Sequence, residues 1–258
     1  MTRPFEQFEK SKTHLVDTHC HLADYPDPIA ILDVAAAADV AIVAVTEDPD
    51  QFRRLKLRLG ARPNVEVALG LHPLRAASVR PADLARFLRM VPAAGWIGEV
   101  GLDFSPVGAA TRKAQLRVFE TILGEAQPGR HPLTVHSRGA AREVITRLTN
   151  ANVPAVLHWY SGPLALVDDA LAAGLYFSIN PAMVRSKRGT ALIGTIPTDR
   201  ILLETDGPYA FTRKRPVQPD DLYEVVSALA RVWRQPADVV ANRLSDNIEI
   251  FMNRIPRQ

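Results

Sequence analysis

A single cysteine, Cys20, leaves this 258-residue chain without an intrachain disulfide, which fits a reducing compartment. There is no run of about 18 uninterrupted apolar residues, the least that spans a bilayer as a helix; Asp39 breaks the Ala-rich stretch 34–45. The first residues, MTRPFEQFEKSKTH, are polar and lack the apolar centre of a secretion signal. No membrane association is expected, and the cytoplasm is the expected location. Charge of one sign is not in large excess, Lys and Arg outnumbering Asp and Glu by 31 to 28. That surplus permits a polyanionic partner without demonstrating one, so the placement of the basic residues matters more than their number. Low-complexity tracts and long linkers are lacking too. The chain reads as one domain over 1–258, with a polar N-terminal extension at 1–13.

What the chain does have is alternation. Short runs rich in Val, Ile and Leu and bounded by Gly, Pro or Asp predict strands at 14–19, 41–46, 65–71, 96–102, 133–136, 155–158, 175–179 and 201–204. Amphipathic runs between them predict helices at 28–38, 50–59, 81–90, 111–126, 140–150, 164–173, 187–196 and 220–233, with an extra closing helix at 236–252. Within the fourth helix Leu116, Phe119, Ile122 and Leu123 form one apolar stripe. Eight βα units in a chain of roughly 250 residues favour an α/β fold of the TIM (β/α)8 barrel type. An open doubly wound sheet has the same local pattern.

The residues able to bind metal gather at the predicted strand ends. His19 and His21 end the first strand, His72 the third, Glu99 and Asp103 the fourth, His136 the fifth, His158 the sixth and Asp206 the eighth. In a barrel all these ends share one rim, so the groups would converge on one mouth. Residues two apart in a strand point the same way, which turns His19 and His21 to one side and Cys20 to the other. A lone histidine is more often a hydrogen-bonded core residue, and His14 and His131, which precede strands, are read that way. Five histidines at strand ends are a poor match to that bland alternative. Imidazoles with carboxylates suit zinc, and a carboxylate bridge suits magnesium or manganese. A mononuclear site is the rival arrangement.

The segments DTHCHL, LGLHP, GEVGLD, HSR, HWYSG and ETDGPY, in this order, resemble the TatD-like metal-dependent hydrolases from about Val16 to Phe251. The resemblance implies a metallo-dependent hydrolase barrel with two divalent metal ions and deoxyribonuclease activity on single-stranded DNA or duplex ends. One metal would be held by His19, His21, Glu99 and Asp206, the other by His136 and His158 with Glu99 bridging. Asp206 and Glu99 would be catalytic, Asp206 holding or activating the water. His72 and Arg138 would touch the substrate; Glu204, on the same strand face as Asp206, is placed with them or behind a ligand. Leu74 stands where many relatives have a second histidine, Phe104 where a Tyr is usual, and Arg215-Pro216-Val217-Gln218-Pro219 replaces an Arg-Asn-Glu-Pro element. These departures leave substrate length and cleavage polarity open. HWYSG, INPAMV and IPTDRILLETDGPY further resemble the TatD-like nucleases of Qat-type anti-phage systems, whose sibling proteins would then be partners.

Two metals shield an anionic diester, acidify water and, at roughly 3.5–4 Å apart, steady the entering and leaving oxygens. Arg138, Arg185, Lys187, Arg188, Arg213, Lys214 and Arg215 follow strand ends and would grip phosphates; ordinary solvated arginine is the competing explanation. Trp159, Tyr160, Tyr209 and Phe211 lie near the mouth, where aromatic rings stack on bases. Strand alternation sends Trp159 outward against the helices, with His158 and Tyr160 inward. Two other functions stay open at this point: a barrel hydrolase of a small amide, ester or amine, and a non-catalytic scaffold subunit. Glu99 with no lysine in the fourth strand argues against a carbamylated-lysine site, and a scaffold has no need of four converging histidines.

Overall fold

The computed structural model describes residues 15–126 and 131–254, so the predicted extension 1–13 and His14 lie outside the described residues. Eight strands alternate with helices: β1 (Leu15–Cys20), β2 (Val40–Ala44), β3 (Val65–Val67), β4 (Ile97–Gly101), β5 (Leu133–His136), β6 (Ala155–Leu157), β7 (Tyr176–Ile179) and β8 (Ile201–Leu203). They form one parallel sheet in the order β3-β2-β1-β8-β7-β6-β5-β4. Just beyond β3, Leu69 bridges in parallel to Ile97 of β4. The Leu69 N–H donates to the Trp96 carbonyl at 2.9 Å, and the Gly98 N–H to the Leu69 carbonyl at 3.0 Å. These bonds join the first and last members of the sheet. The fold is therefore a closed barrel, with no edge strand of the kind an open doubly wound sheet would leave.

The helices are α1 (Pro28–Ala37), α2 (Pro49–Leu59), α3 (Pro81–Met90), α4 (Arg112–Glu125), α5 (Ala141–Ala151), α6 (Val167–Ala172), α7 (Pro181–Val184), α8 (Lys187–Ile193), α9 (Leu222–Trp233) and α10 (Ala237–Asn253). Local chemistry sets several starts. Asp27 and Asp48 accept the first free N–H groups of α1 and α2, each followed by proline at the first helical position. The one-turn α7 has no counterpart among the predicted helices; the Asn180 side chain nucleates it by accepting the Met183 N–H at 2.9 Å. The stripe on α4 is buried as predicted, with Phe119 and Ile122 at 1 % exposure and Leu116 partly buried against the same core.

Apolar residues form two bodies. The larger lies between strands and helices. The smaller, including Val43, Val45, Ala68, Val156, Tyr176 and Leu202, follows the alternate residues that face into the barrel and is completed by Ile248, Phe251 and Met252 of α10. Phe251 packs on Tyr176 at 5.0 Å and on Trp96 at 5.8 Å between ring centres. The expected closing helix thus plugs the N-terminal end of the strands, and the opposite mouth is left for polar residues.

Candidate metal centre

Four nitrogen and oxygen atoms meet at the mouth beside β1. His19 Nε2 and His21 Nε2 are 3.2 Å apart. His19 Nε2 stands 3.6 Å from both Glu99 Oε2 and Asp206 Oδ1, while His21 Nε2 stands 3.3 and 3.4 Å from the same two oxygens. Four donors placed 2.0–2.2 Å from a common centre at tetrahedral angles would be roughly 3.3–3.6 Å apart. The side chains are therefore already spaced as ligands of one cation, and these residues fit the group the donor set implies.

Glu99 turns its other oxygen to a second set. Oε1 lies 2.6 Å from His136 Nδ1 and 3.0 Å from His158 Nε2, and those nitrogens are 3.3 Å apart. The 2.6 Å separation of Glu99 and His136 is that of a charge-assisted hydrogen bond, whose place a cation would take. One carboxylate thus faces both sets, as the bridging assignment requires. His19 and His158 also stack, with ring centres 3.8 Å apart and planes 10° from parallel.

Each of the four histidines has its second nitrogen turned to an oxygen. His19 Nδ1 meets Thr134 Oγ1 at 3.0 Å and His136 Nε2 meets Asp103 Oδ2 at 3.0 Å. His158 Nδ1 faces Glu204 Oε2 at 3.5 Å and His21 Nδ1 faces Asp24 Oδ2 at 3.7 Å. An outer oxygen on the far nitrogen of a ligating imidazole fixes its tautomer and orientation. Sequence reasoning did not assign these supporting roles to Thr134, Asp24 or Asp103, although Asp103 was visible as a metal-capable strand-end residue.

Of the two places expected for Glu204, the structure favours the one behind a ligand over the one at the substrate. It is fully buried just past the end of β8, while Asp206 lines the cavity. Its Oε1 accepts the Trp159 N–H at 3.0 Å and Asn180 Nδ2 at 2.9 Å, and its Oε2 accepts the Ser178 hydroxyl at 2.5 Å. It holds His158 from beneath and does not reach substrate. Asp206 itself has φ +50°, a left-handed conformation uncommon outside glycine. Its N–H bonds the His19 carbonyl at 2.9 Å, and its own carbonyl receives the Tyr209 and Ala210 N–H groups. Asp17 tightens the same corner, accepting the Thr205 N–H and hydroxyl and the His19 N–H; burial pushes its carboxyl up to about 7.

Without metal the cluster balances its charge with protons. Burial alone would lower His21, but bonds to Asp206 and Glu99 outweigh it and raise the imidazole to about 10. His158 and His136 are likewise raised, burial being overcome by Glu99 with Glu204 or Asp103. His19 is lowered, chiefly by burial and then by His158. Glu99 is held well below the usual carboxylate range; burial opposes this, and the surrounding imidazoles win.

Above the donors opens a cavity of about 610 Å³, walled by His21, His72, Asp206 and Arg138 among others. His72 Nδ1 accepts the Leu74 N–H at 3.2 Å, so in the neutral ring its proton sits on Nε2, which points at Glu99 Oε2 at 3.6 Å. Leu74 lines the cavity too, putting an apolar surface where the resemblance places a second histidine. Arg138 is exposed and also lines the cavity. Trp159, which strand alternation directs outward, packs against the core between strands and helices and also lines this cavity. The reason is local: β6 ends at Leu157 and Trp159 has φ +36°, so strand alternation no longer governs its direction. Tyr160 is the residue buried in the core, its ring edge-on to Phe177 and its hydroxyl on the Pro163 carbonyl.

The basic rim is divided. Arg185 is clamped on Glu224 and the Phe211 carbonyl, Arg188 on the Ser161 and Gly162 carbonyls, and Arg215 on Asp221. These three hold loops together. Lys187, Arg213 and Lys214 are exposed.

The model of the family described as TatD related DNase matches residues 16–253. The chain is 34% identical to human deoxyribonuclease TATDN3 over 218 residues, which cover 75% of this chain and 78% of that protein. It is 29% identical over 254 residues to the uncharacterized metal-dependent hydrolase YcfH of Escherichia coli K12, covering 90% and 93% of the two chains. The crystal structure of the Escherichia coli K12 TatD homolog YJJV superposes with a TM-score of 0.83 at 25% identity, over 93% of this chain and 98% of that one. The match runs from the first barrel strand to the plugging helix and takes in every residue of the donor cluster; the chain belongs to the TatD related DNase family.

Proposed function

We propose that this metal-dependent hydrolase of ester bonds is a deoxyribonuclease that cuts phosphodiesters with two divalent cations, zinc, magnesium or manganese. The observation that carries the reading is the placement of Glu99, one oxygen among His19, His21 and Asp206 and the other against His136 and His158. Bound there, the cations would offset the charge of the diester and bring the acidity of water from 15.7 toward about 7. The chain's own groups do the rest. Asp206 stands at the cavity with its carboxylate beside the donor set, placed to orient a water and take its proton. His72, with its proton on Nε2, and the Arg138 guanidinium donate to phosphate oxygens.

A second reading, hydrolysis of a small amide, ester or amine, is favoured by the cavity volume, which falls within the roughly 300–1,000 Å³ of small-ligand pockets. The deciding experiment sets metal-stripped, zinc-, magnesium- and manganese-loaded protein against single-stranded DNA, blunt and frayed duplexes, and generic amides and esters. Metal-dependent cutting of DNA that a chelator abolishes and added metal restores is the expected result. Turnover of small amides or esters with DNA left intact would establish the second reading instead. Action in an anti-phage system, with sibling proteins as partners, is proposed from the HWYSG and INPAMV segments and is tested by phage plating with wild-type and Glu99→Gln alleles.

A further inference from the structure

We infer that Trp159 is a nucleobase-stacking residue that seats the base next to the scissile phosphate, an inference that rests on the nuclease reading above. Most residues of the cavity wall are charged or polar types; its large apolar or aromatic ones are Leu74, Trp159 and Tyr209. Tyr209 is held by its hydroxyl on Asp24 at 3.1 Å and stands edge-on to His21 at 4.8 Å. The indole is the broader of the two aromatic surfaces, on the residue adjoining His158.

Its position is built. A non-glycine residue at φ +36° lies in a sparsely populated backbone region and persists only where its surroundings impose it. Here the fully buried Glu204 takes the Trp159 N–H, and Arg188 anchors the next turn through the Ser161 and Gly162 carbonyls. The half-buried ring is backed by the core. Beyond it a small second hollow, about 70 Å³, continues along Ser161, Gly162 and Arg188. A phosphate at the donor cluster carries a sugar and base within a few ångströms on each side, and a supported indole there offers a π-face to any base. Such stacking is tolerant of sequence.

The test uses the metal-loaded chain and a substrate with one phosphodiester, the dinucleotide dTpdT, beside its two singly abasic counterparts. Wild type should show a KM raised on the order of 10-fold for one counterpart and not the other, the usual scale of one stacked base. Trp159→Ala should raise KM for dTpdT by a similar factor with kcat nearly kept, and should no longer distinguish that counterpart; Trp159→Phe, which keeps a ring, should stay within about 3-fold of wild type. In Asp206→Asn, indole emission should be quenched by dTpdT, and adding Trp159→Phe should remove the quench, since Trp96 is fully buried and Trp233 lies on α9. Equal KM for all three substrates in wild type would overturn the assignment, as would a Trp159→Ala loss of the same size on dTpdT and both abasic forms, or a quench that survives Trp159→Phe. If wild type cuts longer DNA but shows these failures, the stacking inference falls alone; if it cuts no phosphodiester at all, the nuclease reading falls and takes the inference with it.

Discussion

Replacing Glu204 by Gln keeps the shape of a fully buried side chain and changes only what one of its oxygens offers. In the native arrangement Oε1 accepts from Trp159 and Asn180, and Oε2 accepts from Ser178 while facing His158 Nδ1 at 3.5 Å. The amide oxygen of Gln can keep the first pair. Its NH₂ then replaces Oε2; the Ser178 hydroxyl can rotate to accept, but His158 Nδ1–H would confront another donor. The imidazole is thereby driven to carry its proton on Nε2, the nitrogen 3.0 Å from Glu99 and directed at the cation set. Outer partners of ligating histidines are worth about 10- to 100-fold in metal affinity, or about 1.4–2.8 kcal/mol. Competition against a chromophoric chelator should show the site of His136 and His158 weakened by that factor, while the site of His19, His21 and Asp206 holds its metal. Both affinities within twofold of wild type, in a variant that melts normally, would refute the claim that Glu204 sets the His158 tautomer.

Asp206→Asn should lower kcat by roughly 10²- to 10⁴-fold, the scale of a lost general base, with DNA still bound; retention of kcat within a few-fold in stopped-flow turnover removes Asp206 from the proton-transfer role. In the metal-stripped chain the raised imidazole of His21 gives stability that is complete below about pH 6.5 and lost as pH climbs toward 10. Its Tm should fall over that window while metal affinity, which requires those protons to leave, rises with pH; a melting profile that climbs from pH 6.5 to 10 contradicts the charge balance. On the rim, neutralising Lys187, Arg213 and Lys214 to Gln should flatten the salt dependence of DNA binding by about 0.7 in log–log slope for each phosphate no longer neutralised. Arg185→Gln, which breaks the pair with Glu224, should register in Tm instead, and equal slope changes from both substitutions would mean that the ion pair does not withhold Arg185 from DNA.

The barrel is readable because each βα unit carries its own punctuation, and the convergence at its mouth because the metal-capable residues His19, His21, Glu99, His136, His158 and Asp206 recur at strand ends. Closure was not readable: it depends on Leu69 meeting Ile97 across the first and last strands, and alternation is the same in an open sheet. Alternation does not hold past Leu157, where β6 ends: Tyr160, expected inward, is buried in the core between strands and helices, and Trp159, at φ +36°, touches both that core and the cavity. Sequence alone leaves Glu204 between a place at the substrate and one behind a ligand, because a strand pattern tells which face a side chain takes but not how deep it lies. Arg185 looked like a free cation because its partner Glu224 is 39 residues away, a distance over which one sequence shows no pairing.

The central claim is that Glu99 joins two cation sites, and counting metals tests it most directly. Wild-type chain, stripped and reloaded with Zn²⁺ or Mn²⁺ and assayed for bound metal by mass spectrometry, should hold two per chain, and Glu99→Gln, which removes the charge both sites share, should hold fewer and hydrolyse nothing. One metal per wild-type chain at saturation, or two metals with normal turnover in Glu99→Gln, would contradict the account.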